Sequence, residues 1–227
     1  MTDRPILFSG PMVRALLAGT KTQTRRVVKP QPRRVDGGVP FGDAPAWAHA
    51  EPGSAMMRCP YGKPGDRLWV KETWRTARSL DNKSPNAIGE MCIDAGYRKP
   101  WAPLTYEADG HRNTEWRGFE MAGDAEPGKT RVSIHMPRWA SRITLEITSV
   151  RVERLHDISE ADALAEGVAQ AVRDRLPVQQ CGEYDTIDAD PVELYQDLWE
   201  SINGPGSWDD NPWVWVLEFR RIDVEAA

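Results

Sequence analysis

The sequence predicts an α+β fold: a small mixed β-barrel or curled sheet with helices at its rim and long loop insertions. Three observations lead there. Residues 143–150, Ile143-Thr144-Leu145-Glu146-Ile147-Thr148-Ser149-Val150, alternate strictly, the period of a half-buried strand. Residues 213–219, Trp213-Val214-Trp215-Val216-Leu217-Glu218-Phe219, form a near-continuous apolar run that must be largely buried. Helical spacing is confined to a few short stretches, and strands are expected near both ends. With 227 residues and no internal repeat, one domain spanning 1–227 is expected.

The elements follow in chain order. Pro5 to Phe8 reads as a strand. Pro11 suits a first helical turn, and Met12, Ala15, Leu16 and Ala18 continue with helix-like spacing. Gly19 suits the left-handed position that ends such a helix. The β-branched residues Thr22, Thr24, Val27 and Val28 then favour an extended segment from Lys21 to Lys29, closed by Pro30. Residues 30–60 hold Pro32, Gly37, Gly38, Pro40, Pro45 and Pro52 and read as a long loop. Lys63-Pro64-Gly65-Asp66 is a turn, and Arg67 to Trp74 a strand with Leu68, Val70, Glu72 and Trp74 on one face. Residues 76–130 are polar and glycine-rich, an insertion with weak strand signals at Thr105-Tyr106. Ser159 caps a helix through Ala161, Leu164 and Ala165 that stops at Gly167, with Asp162 three residues on as a partial capping box. A polar insertion at 169–190 precedes a helix from Pro191 to Ile202, with Val192, Tyr195, Leu198 and Trp199 at helical spacing.

Composition narrows the function classes. Hydrophobic residues at 40% and charged residues at 28% fit a globular protein without a membrane span or signal peptide. Cys59, Cys92 and Cys181 are odd in number and lack a C-x-x-C pair, so reduced thiols in a cytoplasm are expected, with no metal and no cofactor. A formal charge of −5 argues against nonspecific coating of nucleic acid. Charge is nonetheless uneven: Lys21, Arg25, Arg26, Lys29, Arg33 and Arg34 form one basic run, and Arg131, His135, Arg138 and Arg142 another. A local basic face on an acidic protein suits a small anionic ligand or a short nucleic-acid segment; a solvated charged face is the plainer alternative.

Gly19, Lys21, Thr24 and Arg26 stand in the pattern G-x-K-x-x-T-x-R, and the chain resembles ASCH domains of the PUA-like superfamily there. Three further segments are similar in the same order: Gly65-Asp66-Arg67-Leu68-Trp69-Val70, Val150 to Val168, and Trp213 to Ile222. They cover about half the chain. The insertions, and Ile134-His135-Met136-Pro137-Arg138-Trp139-Ala140-Ser141-Arg142, look like a longer subgroup commonly encoded by bacteriophages and prophages. The chain departs from the minimal pattern at Arg25, where an apolar strand residue is usual.

The resemblance implies a PUA-like barrel and, for some members, an amidohydrolase that removes the acetyl group from N4-acetylcytidine. Its catalytic lysine, threonine and glutamate fall on Lys21, Thr24 and Glu166. The chemistry needs those types. Thr24 attacks the amide carbonyl or positions a water, Lys21 serves as base once its pKa is lowered, and Glu166 orients the lysine or handles the amine's proton. A carboxylate at a helix C-terminus opposes the helix dipole, which makes Glu166 stand out by itself. Arg25, Arg26, Glu72, Trp74, Arg138, Ser141 and Arg142 are candidate substrate-binding residues. Glu72 is also a candidate for a structural ion pair with Arg26, while Trp74, Trp139 and Trp208 lie where they could stack on a base. On a regular strand Lys21 and Thr24 point to opposite faces, so their convergence requires Lys21 to lie in the turn or a bulge to intervene. The partner expected is a modified nucleoside or single-stranded nucleic acid. The alternative to an enzyme is a non-catalytic RNA or modified-base binding module, motivated by the basic runs. His135 and His156 have no serine or cysteine at a catalytic spacing.

Overall fold

The computed structural model describes residues 1–31, 58–113, 116, 126–169 and 190–222. The fold is α+β, with a five-stranded mixed sheet and a few helices. The strands are β1 (Asp3–Leu7), β2 (Gln23–Val27), β3 (Arg67–Lys71), β4 (Trp74–Thr76), β5 (Leu104–Tyr106), β6 (Thr144–Arg154) and β7 (Trp213–Ile222). The helices are α1 (Gly10–Ala18), α2 (Pro85–Asp94), α3 (Glu160–Ala165) and α4 (Pro191–Asn203). The larger sheet has the order β1-β3-β6-β7-β2, and β4 pairs with β5. Among the described residues no helix is long and apolar enough to cross a membrane. The loop expected at 30–60 and the insertion at 169–190 fall largely outside the described residues.

The chain divides into two compact units, each assembled from separated segments. The first comprises Met1–Thr2, Ala15–Arg67 and Glu146–Arg221. Here β2 lies antiparallel to β7 with Thr24 opposite Leu217 and Arg26 opposite Trp215. Val214, Trp215, Val216 and Leu217 are all buried, as the apolar run predicts. The Ser159–Asp162 capping box starts α3, and Gly167 ends it with φ +82°. That glycine has a second reason to be there: a Cβ would sit 2.9 Å from Ala15 Cβ and 3.2 Å from Lys21 Cβ. Helix α3 packs on α4 and on β2. Asp190 and Pro191 start α4, whose Tyr195, Leu198 and Trp199 face inward.

The second unit comprises Asp3–Arg14, Leu68–Leu145 and Ile222–Ala227. Its core gathers Trp74, Ile88, Ala102, Leu104, Tyr106, Met136 and Ala140, with Leu80 and Trp139 packed against them. The strand expected from Arg67 to Trp74 is two strands. The Glu72 amide leaves the ladder to meet Met136 Sδ at 3.4 Å, and β4 then joins β5 with Trp74 opposite Tyr106. Alternation survives the break, and Leu68, Val70, Glu72 and Trp74 are all buried. Within the segment expected to be an insertion, α2 was not anticipated. Its Ser84 cap and Pro85 are plain in sequence, but only Ile88 and Gly89 of the helix are buried, so the apolar period is weak.

Candidate active site

In the first unit, the turn after α1 delivers Lys21 before β2 begins at Gln23. Gly19, at φ +76°, makes that turn, and the amides of Thr20 and Lys21 both donate to the Ala15 carbonyl. Lys21 therefore lies in the turn, outside the alternation of the strand. Its Nζ donates to Glu166 Oε2 and to the Glu166 carbonyl, both at 2.7 Å. Glu166 is the C-cap of α3, and the two side chains are 1% and 5% exposed. The lysine thus neutralises a carboxylate at the unfavourable end of a helix and caps one of its unpaired carbonyls.

Burial is the largest influence on Lys21 and lowers its pKa; Glu166 holds it up, and Arg26 and Arg25 push it further down. Glu166 Oε1 makes no hydrogen bond among the described residues and lies 4.0 Å from Arg25 Nη1. Arg25 is enclosed by acceptors. Its Nη1 donates to Gln23, and its Nη2 lies 3.2 Å from Asp162 Oδ2 and 3.3 Å from Glu153 Oε2. Asp162 in turn accepts from Gln23 Nε2 at 2.7 Å and from Ser159 Oγ at 2.9 Å. Burial would raise Asp162, but the hydrogen bonds from Gln23 and Ser159 and the charge of Arg25 overcome it and hold its pKa at about 2.

Thr24 is 4% exposed, on the face of β2 opposite the one that carries Gln23 and Arg25. The structure joins Lys21 to Glu166 directly and seats Thr24 three residues along the chain, in the strand that Lys21 leads into. Tyr195 of α4 is the residue of this site that sequence reasoning read only as core. Burial first, then the neighbouring Glu166 charge, push its hydroxyl pKa well above the ordinary range.

The remaining candidates, Glu72, Trp74, Arg138, Ser141 and Arg142, belong to the second unit. Glu72 pairs with Arg142 rather than Arg26: Nε and Nη2 of Arg142 each donate to one carboxylate oxygen at 2.9 Å. The same guanidinium bonds Asp109 twice at 2.9 Å and lies 4.1 Å from the centre of the Tyr106 ring. Burial raises the Glu72 pKa against the pull of Arg142. Trp74 has no accessible surface, so its expected role as a stacking platform gives way to a place in the core. Trp139 sets its edge against Trp74, and Trp208 lies against His156 and Tyr195. Arg138 reaches Asp3 Oδ2 at 3.5 Å and Thr144 Oγ1 at 3.3 Å, and Ser141 Oγ donates to the Val70 carbonyl at 2.8 Å. Arg131 donates to the carbonyls of Lys83 and Leu80 at 3.0 and 2.8 Å.

Among the described residues no group of three or more His, Cys, Asp or Glu side chains is placed to hold a metal ion. Cys59 and Cys92 are not joined in a disulfide, and Cys181 lies outside the described residues. Comparison of the chain with family models, with curated proteins and with solved structures returned no match in any of the three.

Proposed function

We propose that this chain is an ASCH protein with a PUA-like barrel and that it hydrolyses the amide of N4-acetylcytidine or a related N4-acylated cytosine. The observation that carries the proposal is the buried Lys21–Glu166 pair at 2.7 Å, reached across 145 residues of sequence. A lysine serves as a base only in its neutral form. Burial and two neighbouring arginines favour that form, and Glu166 steadies the ammonium once a proton arrives.

The reaction consumes one water and yields cytidine and acetate. Lys21 Nζ takes the proton of the attacking hydroxyl, either that of Thr24 or of a water that Thr24 holds. The carbonyl carbon becomes tetrahedral, the C–N bond breaks, and the proton passes from Lys21 to the departing N4 amine. Direct attack by Thr24 leaves an acetyl ester that water then cleaves by the same proton relay. In this reading Glu166 accepts a hydrogen bond from that amine as the proton is delivered.

The rival reading, a non-catalytic module for RNA or a modified base, rests on the two basic runs. Lys21, Arg25, Arg131, Arg138 and Arg142 all have internal partners, which leaves fewer cations to face a phosphate backbone. Incubation with N4-acetylcytidine, with cytidine resolved by liquid chromatography, tests the proposal. Cytidine formed by the wild type and not by Lys21→Ala supports it. No cytidine from free nucleoside or acetylated oligonucleotide would turn the assignment to the binding module.

A further inference from the structure

We infer that Arg25 is a positioning residue of the Lys21–Glu166 pair: a sealed guanidinium, held by Asp162 and Glu153, that tunes how readily Lys21 releases its proton. The inference rests on the acid–base reading of that pair and gives Arg25 a role other than the substrate contact expected from sequence.

The geometry separates the two roles. The Arg25 side chain is 0% exposed, and its Nη1 and Nη2 are already taken up by Gln23, Asp162 and Glu153. It nonetheless lies one carboxylate away from the lysine. Nη1 is 4.0 Å from Glu166 Oε1, while Lys21 Nζ is 2.7 Å from Glu166 Oε2. The other partners of Arg25 hold it at the long end of an ion pair with Glu166. Nη2 is tied to Asp162 and Glu153, Nη1 to Gln23, and Asp162 is itself anchored by Gln23, Ser159 and Arg151. Glu166 keeps its short bond to the lysine, and the lysine feels the positive charge of Arg25 beyond it.

Among the described residues, the charged groups bearing on Lys21 include Glu166 from the end of α3 and Arg25 and Arg26 from β2, with Tyr195 of α4 against Glu166. Glu153, Asp162 and Arg151 form the surrounding shell that holds Arg25. Two substitutions in this shell should act with opposite sign. Loss of the Arg25 charge removes a repulsion and makes Lys21 harder to deprotonate. Loss of the Asp162 charge unmasks Arg25 and makes it easier.

The test is a pH titration of the Lys21 side chain by NMR on the full chain labelled at lysine, with the signal assigned by its loss in Lys21→Arg. The readout needs no turnover, so absence of hydrolase activity in the wild type and failure of this inference are separate results. Arg25→Gln should raise the Lys21 midpoint by about one pH unit, Arg25→Lys should restore it, and Asp162→Asn should lower it. A merely structural Arg25 gives a different pattern. Loosening the site would admit water and raise the midpoint in all three variants. An unchanged midpoint in Arg25→Gln, an equal rise in Arg25→Lys, or a rise in Asp162→Asn overturns the inference. Where circular dichroism shows that Arg25→Gln has not folded, Arg25→Lys and Asp162→Asn decide the matter.

Discussion

Gly167→Ala should be costly in a way that isolates the packing beneath the Lys21–Glu166 pair. Gly167 has φ +82°, where an L side chain costs about 1–2 kcal/mol. The added methyl also meets Ala15 Cβ at 2.9 Å and Lys21 Cβ at 3.2 Å. Neither neighbour is the free end of a flexible chain, so α1 or the Lys21 turn must shift, and overpacking of that kind costs about 1–3 kcal/mol. The sum is about 2–5 kcal/mol, or a fall in Tm of roughly 5–15 °C for a chain of this size. Gly19→Ala is the matched control. It has φ +76° with nothing within 4 Å of the added methyl, so it carries the backbone cost alone. The gain from stiffening the unfolded chain is common to both variants and cancels in the difference. Thermal melts of the two proteins measure the steric part directly. Equal destabilisation, or a larger loss in Gly19→Ala, would refute the close approach of α1, the Lys21 turn and the end of α3.

Further outcomes follow from the same contacts. Glu166→Gln removes the group that holds the proton on buried Lys21, so in urea unfolding the variant should lose stability increasingly as pH falls, and lose less when combined with Lys21→Met. Arg142→Ala should cost about 3–5 kcal/mol, because Glu72 at 1% exposure loses its partner; Arg142→Ala together with Glu72→Gln should recover part of it. Trp74→Ala should cost about 3–5 kcal/mol by creating a cavity in the second unit, measured by the same unfolding. Asp162 has a pKa of about 2 folded against 3.8 unfolded, so the unfolded state binds more protons between those values and stability rises with pH there. The stability gap between wild type and Asp162→Asn should be full near pH 6 and close as pH falls from about 4 to about 2.

Local signals carried the fold. The alternation of 143–150, the apolar run at 213–219, the Ser159–Asp162 box and the left-handed Gly19 and Gly167 are each decided by a few adjacent residues. Helix α2 carried the same kind of start signal but packs little of its surface, and the break at Glu72 depends on a methionine 64 residues away. The contacts among the candidate residues were less legible, because their bonds span long sequence separations. Lys21 and Glu166 are 145 residues apart, and nothing local marks Tyr195 as a neighbour of Glu166 or Arg142 as the partner of Glu72. Arg25 shows the limit most clearly. A charged residue on a basic strand reads as a ligand contact, and only the enclosing carboxylates of Asp162 and Glu153 reveal it as internal.

The decisive measurement is kcat/KM for N4-acetylcytidine in the wild type beside Lys21→Ala, Thr24→Ala and Glu166→Gln, each checked for folding by circular dichroism. Cytidine release by the wild type, falling by about 10²–10⁴ in every folded variant, is the expected result for a lysine–glutamate proton relay acting with Thr24. Turnover that persists undiminished in folded Lys21→Ala would show that the buried pair holds the end of α3 in place and does no chemistry.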